Sequence, residues 1–314
     1  MPYLDTGRIS LFHEDTGSSG VPTLLLHELG GSSESWRTVI PLLAADRRVI
    51  AVDMRCAGRS EKPPGAFSLV DVADDLDALL AALGVEWVDV IGAALGSLVG
   101  ALLAIRHPAR VRRLMMAAVA PDMAGATRAY VAERAEKVRV VGMRGVAEAS
   151  LANSFPESRA AERAAYRAIY LANDPAGYAE LSLALARLEV TAADWGAISA
   201  PTLVVSGAHD FLWPPPLGRE VVALIHGARF TAMEDAGHFP HLQAPARLAD
   251  LARDFFCKLI FSNHPGEGRG PGFSFSRGRR MGPGLRRGGF FFKNYRPELS
   301  ASSASRSRRR ARCT

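Results

Sequence analysis

Four short apolar runs, Thr23–His27 (TLLLH), Arg48–Asp53 (RVIAVD), Trp87–Ile91 (WVDVI) and Arg113–Ala118 (RLMMAA), are bounded by turn residues and separated by helix-patterned stretches. Runs that are apolar at nearly every position suit strands covered on both faces, and strands alternating with helices build a mostly parallel sheet. Tyr3–Asp5 and Ile9–Asp15 read as an opening antiparallel pair, and Pro201–Ser206 (PTLVVS) and Ala228–Met233 as two late strands. The expectation is an α/β fold with an eight-stranded, mostly parallel sheet and helices on both faces.

The intervening helices carry their own signatures. In Asp71–Leu83 the apolar residues Val72, Leu76, Leu79, Leu80 and Leu83 form one stripe, and Gly84 follows as a stop. Ala94–Arg106 is apolar nearly all round, which marks a buried helix, and His107-Pro108 ends it. Pro245–Leu259 places Leu248, Leu251, Phe255 and Leu259 on one face.

Composition divides the chain. Residues 1–121 and 199–261 carry the strand–helix alternation. Residues 122–198 are rich in Ala, Arg and Glu, contain no strand pattern, and read as amphipathic helices inserted as a cap over the ligand-binding edge of the sheet. Residues 262–314 are Gly/Arg/Ser-rich and aperiodic, with 13 Lys and Arg against two Glu, and are expected to be a disordered basic tail. The net charge of +6 therefore misleads, because the tail contributes +11 and the body is mildly acidic at −5. No stacking module accompanies the basic tail, so it reads as a solvated extension rather than a nucleic-acid-binding element.

No run approaches the length of a membrane span, and the opening MPYLDTGRIS lacks a charged-then-apolar leader, so a cytoplasmic protein without membrane contact is expected. Cys56, Cys257 and Cys313 are widely spread and without metal-ligand spacing, which argues against a disulfide framework or zinc site. Cys257, within DFFCKLI, reads as a core residue. No metal or organic cofactor is implied, and nothing in the sequence fixes an oligomeric state.

The chemistry concentrates in four segments: HELGGSSESW after the third strand, DMRCAGRS after the fourth, VIGAALGS after the fifth, and the late pair SGAHD and EDAGHFPH. In this order and spacing they resemble the α/β-hydrolase superfamily, especially its cap-bearing esterases and lactonases of the 3-oxoadipate enol-lactonase kind, over about Tyr3 to Leu259. The resemblance implies a sharp strand-to-helix elbow at Gly92-Ala93-Ala94-Leu95-Gly96, where the family carries G-x-S-x-G. It also implies a catalytic acid at Asp210, a catalytic histidine at His238, and an oxyanion hole from the backbone N–H groups of Leu29 and Leu95. An Asp holding a His in one tautomer is the machinery of a general base.

Three positions depart from the family pattern, and together they mark divergence of the whole site. Ala94 stands at the place of the nucleophilic serine, so an acyl-enzyme cannot form there. Glu28 replaces a glycine beside the oxyanion loop; its carboxylate either points outward into water or faces the pocket as a new acid or base with a raised pKa. Cys56 replaces a glycine in the loop whose Asp53 and Arg55 brace the site by resemblance, and reads as a space-filling thiol rather than a substitute nucleophile. Ser97, three residues past Ala94, is expected to bond helix-terminal backbone groups. In the cap, Met123, Tyr130, Tyr166, Tyr170 and Trp195 are candidates either for an apolar pocket or for ordinary helix packing.

Two functions remain open on this reading. One is an enzyme acting on a small carbonyl compound (ester, lactone or β-keto type) through an Asp–His base and oxyanion hole, without a serine acyl-enzyme. The other is an inactive hydrolase-fold protein that binds a small molecule.

Overall fold

The computed structural model describes residues 2–17, 20–123, 125–155 and 157–257; the expected tail at 262–314 and the end of the last helix lie outside them. Along the chain run β1 (Tyr3–Asp5), β2 (Ser10–Asp15), β3 (Val21–Leu26), α1 (Ile40–Leu43), β4 (Arg47–Val52), α2 (Leu69–Ala82), β5 (Val88–Ala93), α3 (Leu95–Arg106) and β6 (Val111–Ala117). Among the described residues five helices follow without a strand: α4 (Gly125–Val141), α5 (Arg144–Ser154), α6 (Ala160–Leu171), α7 (Pro175–Ala186) and α8 (Ala192–Gly196). Then come β7 (Thr202–Gly207), α9 (Pro215–Leu224), β8 (Arg229–Met233), α10 (Pro240–Gln243) and α11 (Pro245–Cys257).

The strands form one eight-stranded sheet in the order β1-β2-β4-β3-β5-β6-β7-β8. β1, β2 and β4 pair antiparallel, and every later pairing is parallel. Within the apolar runs the side chains still alternate by face. Leu24, Leu26, Ile50, Val90 and Met116 pack with α2 and α3 on one side. Leu25, Val49, Ile91 and Met115 pack with α1 and α11 on the other. A continuous apolar run is thus what a strand needs when both faces are covered.

The chain enters the sheet centre at β3, steps to β4 on one side, and returns to β5 on the other. Loops leaving the carboxyl ends of β3 and β5 therefore diverge at a switch point and leave a crevice between them.

Local chemistry sets the element ends. Asp71 Oδ2 accepts from the Ser68 N–H at 2.9 Å and Ser68 Oγ accepts from the Asp71 N–H at 3.3 Å, a capping box that starts α2 at Leu69, two residues before the expected Asp71. β5 runs on to Ala93 rather than stopping at Ile91, while Trp87 stays outside it, partly exposed, with Arg112 stacked on its ring. Cys257 corrects an expectation. It closes α11 at an exposed position, because the buried face of that helix is filled by Phe255 and Phe256. No helix among the described residues is long and apolar enough to cross a membrane.

Candidate active site

The elbow lies where β5 meets α3. Ala94 sits between them at φ 49° and ψ −110°, a conformation that costs a non-glycine residue about 1–3 kcal/mol. Its N–H donates to the carbonyl of Ala117 at 2.8 Å, which ties the bend to β6. Two glycines make the bend possible. A Cβ on Gly92 would come within 2.3 Å of the Gly96 carbonyl, and one on Gly96 within 2.1 Å of the Leu26 carbonyl. The bend brings the N-terminus of α3 against the end of β3, with the methyl group of Ala94 on a cavity wall.

Asp210 follows β7 and His238 follows β8. Asp210 Oδ1 accepts from the N–H groups of Leu212 and Trp213 at 2.8 and 2.9 Å, which fixes the carboxylate. Its Oδ2 lies 2.9 Å from His238 Nδ1, so the imidazole donates there and its Nε2 is left for the cavity that His238 lines. Trp213 and Phe239 hold the ring from two sides at centroid distances of 5.4 and 4.9 Å. The loop around His238 is pinned in turn, because the Gly237 N–H donates to Gln243 Oε1 at 2.6 Å and Gln243 Nε2 donates to the Ser154 carbonyl at 3.0 Å.

Leu29 and Leu95 line the same cavity as Ala94 and His238. Leu95 is the first residue of α3, so its N–H has no acceptor within the helix and lies at the positive end of the helix dipole. Leu29 occupies a turn closed by the Gly31 N–H donating to the Glu28 carbonyl at 3.0 Å. His27 anchors this turn to the end of β4: its Nδ1–H donates to the Glu28 carbonyl at 2.8 Å and its Nε2 accepts from the Met54 N–H at 3.1 Å.

Glu28 overturns both readings made of it. Its side chain is neither in water nor on the cavity wall but fully buried behind the turn, accepting from Ser35 Oγ at 2.8 Å and from His241 Nε2 at 2.8 Å. Burial alone would raise its pKa, but the charge and hydrogen bond of His241 more than offset that and hold the carboxyl down at about 2. Room for the carboxylate comes from Gly31, where a Cβ would lie 2.1 Å from Glu28 Oε1. His241, on the short helix α10, is the partner that the sequence reading missed. Its signal was the second histidine of EDAGHFPH beside an unexplained Glu28.

The neighbouring residues are placed as follows. Asp53 accepts from the backbone N–H groups of Ser33 and Arg59 at 2.6 and 2.7 Å, whereas Arg55 turns to Asp75 on α2 at 2.7 and 2.8 Å. Cys56 is buried off the cavity, and its thiol is pushed up to about 11 by that burial. Ser97 Oγ lies 2.9 and 3.0 Å from the carbonyls of Gly92 and Ala117, so its hydroxyl bonds backbone and is not presented to a ligand.

The cavity, of about 80 Å³, is lined on one side by the helices between β6 and β7. Met123, Tyr130, Tyr166 and Tyr170 line it, but Trp195 does not; its indole N–H donates to the Pro121 carbonyl at 2.8 Å and the ring packs in the core. Burial, then the adjacent Glu28 carboxylate, pushes the Tyr166 phenol well above its ordinary range, so it stays a neutral hydroxyl. Arg134, from α4, also reaches the cavity.

Comparison with known proteins gives the same architecture. A family model described as the alpha/beta hydrolase fold matches residues 22–245. A 2-hydroxymuconate semialdehyde hydrolase from Pseudomonas sp. (strain CF600) is 31% identical over 256 residues, 78% of this chain and 89% of that protein. Among solved structures, a hydrolase from Pseudomonas aeruginosa PA01 superposes with a TM-score of 0.76 at 28% identity, over 81% of this chain and 97% of the other. The enol-lactonase from Burkholderia xenovorans LB400 gives a TM-score of 0.75 at 26% identity, over 82% of this chain and 100% of the other.

Proposed function

Because the chain belongs to the α/β-hydrolase fold family, we propose that it is an enzyme for a small carbonyl compound (an ester, lactone or β-keto compound) that works without a serine acyl-enzyme. The observation that carries this reading is the pairing of Asp210 with His238 at 2.9 Å on the cavity that also holds Ala94, whose side chain has no hydroxyl. His238 Nε2 takes a proton from a water as its oxygen adds to the substrate carbonyl. Asp210 stabilises the imidazolium that results. The N–H groups of Leu29 and Leu95 hold the oxyanion, which then collapses as the His238 proton passes to the leaving oxygen or carbon. Ser97 and Cys56 offer no replacement nucleophile, because one is bonded to backbone carbonyls and the other lies off the cavity.

Ala94 itself favours a second reading, a protein that holds the same class of compound without converting it. Losing the serine from a site built around it costs about 10⁶ in rate, so only activated lactones, strained esters or β-keto compounds remain within reach of a base and an oxyanion hole.

The test is turnover of activated esters and enol-lactones by the native chain, by Ala94→Ser and by His238→Ala. The enzyme reading expects product from the native chain and none from His238→Ala. If the native chain forms no product while Ala94→Ser hydrolyses the same compounds, the site is a holder and the enzyme reading is wrong.

A further inference from the structure

Arg134 is a partly buried cation that makes no ion pair with a carboxylate among the described residues. Its Nε is sealed from solvent and has no hydrogen-bond partner among the described residues. Its Nη1 makes one long contact, 3.5 Å, to Ser150 Oγ. The guanidinium otherwise stacks near the rings of Tyr130 and Tyr178, at 5.1 and 5.7 Å from their centroids. Among the described residues no Asp or Glu lines the cavity it enters. The acidic side chains of the packed helices are engaged elsewhere, Glu180 of α7 with Arg139 and Glu148 of α5 with Arg163 and Arg167.

The tyrosines cannot supply the missing charge. Burial pushes the Tyr178 phenol far above its ordinary range, and its hydroxyl is already bonded to Tyr170, which also reaches Ser150 Oγ at 3.0 Å. The result is a neutral hydroxyl network beside a positive fork, in the cap, in the cavity whose floor is Ala94 and His238. Desolvating part of a charge with no counter-ion is costly, and a carboxylate on a ligand in this cavity would offset that cost.

We propose that Arg134, with the Ser150 hydroxyl beside it, is the receptor for a carboxylate on the ligand, so that the compound bound is a small oxo-acid whose reacting carbonyl lies at Ala94 and His238 and whose anionic end lies in the cap. A guanidinium offers a planar pair of donors that matches a carboxylate, and a single fork matches a single negative charge. This deepens the proposed function and rests on it for the orientation of the carbonyl, but the carboxylate receptor itself stands on binding alone.

The experiment is therefore a binding measurement. Straight-chain oxo-acids of three to six carbons and their primary amides, which differ in charge and hardly in shape, are titrated into the full chain by NMR. At least one acid is expected to bind about tenfold to a hundredfold more tightly than its amide. Arg134→Met should erase that preference while still binding the amides, and its Tm should be at or above that of the native chain, since it removes an unpaired, partly buried charge. If no acid is preferred over its amide, or if the preference survives in Arg134→Met, the proposal is overturned. Should Arg134→Met lose the amides as well, Arg134→Lys decides: a preference kept by the lysine supports the receptor, and its absence overturns it. Failure of turnover leaves these titrations unaffected, so the two readings fail separately.

Discussion

Two carboxylate–imidazole pairs lie in the same loop cluster and face opposite surroundings. Asp210–His238 and Glu28–His241 have nearly the same length, 2.9 and 2.8 Å, and their histidines are three residues apart. They differ in which ring nitrogen is bonded and in what faces the other. In the first pair Nδ1 is tied to Asp210 and Nε2 is left for the cavity. In the second Nε2 is tied to Glu28, and Nδ1 faces a sealed interior without a hydrogen-bond partner among the described residues, beside the ring of Trp36 at 4.5 Å. A carboxylate and an imidazole at hydrogen-bond distance are therefore not in themselves a catalytic device. What the free nitrogen meets decides whether the pair moves protons or holds two loops together.

The sharpest way to break this comparison is to remove each histidine in turn. In the Ala94→Ser background, where ester hydrolysis gives a direct readout, His238→Ala is expected to lower kcat by about 10⁴- to 10⁶-fold. His241→Ala in the same background should change kcat by less than about tenfold at a temperature where the variant is folded, since its ring does not reach the cavity. Comparable losses in both variants would mean that the two pairs act as one unit.

Stability should show the reverse order. His241→Ala leaves the Glu28 carboxylate buried beside the neutral hydroxyls of Ser35 and Tyr166, and stranding a buried charge costs about 3–5 kcal/mol. For a chain of this size that is a fall in Tm of roughly 6–20 °C. His238→Ala opens a partly solvated site and leaves Asp210 bonded to two backbone N–H groups, so its Tm should fall less. Calorimetry on the two single variants checks the order, and a larger fall for His238→Ala would contradict it.

The same contrast explains what the sequence discloses. Asp210 and His238 are legible because each sits at the end of a strand run, in a loop whose motif has a fixed place in the chain; the elbow is legible because only small residues fit where α3 meets β3. Glu28 and His241 are 213 residues apart, and no local pattern couples them. The expectation of a solvated or cavity-facing Glu28 followed from its neighbours in sequence, whereas its actual partner arrives from α10 across the fold. Arg134 was hidden for another reason. It is one basic residue in a helix, Gly125–Val141, crowded with charges, and only packing against Tyr130 and Tyr178 separates it from its solvated neighbours. Periodicity reports the face of a helix but not which long side chain folds inward.

Acid titration sharpens the comparison by the smallest margin. Glu28 has its folded pKa depressed to about 2 from an ordinary value of 4.5, with burial opposing and the His241 charge prevailing. A carboxyl depressed on folding contributes stability that is fully present above its unfolded pKa and is lost as the pH falls through the folded one. The contribution of Glu28 is thus complete above about pH 4.5 and is lost as the pH falls toward 2. Glu28→Gln cannot titrate there, so the Tm gap between it and the native chain should be widest near pH 6 and close as the pH approaches 2. Other depressed carboxyls, such as Asp74, are common to both proteins and cancel in the difference. A gap that stays constant from pH 6 to pH 2.5 would mean that the Glu28–His241 contact is held by shape and hydrogen bonding, not by charge.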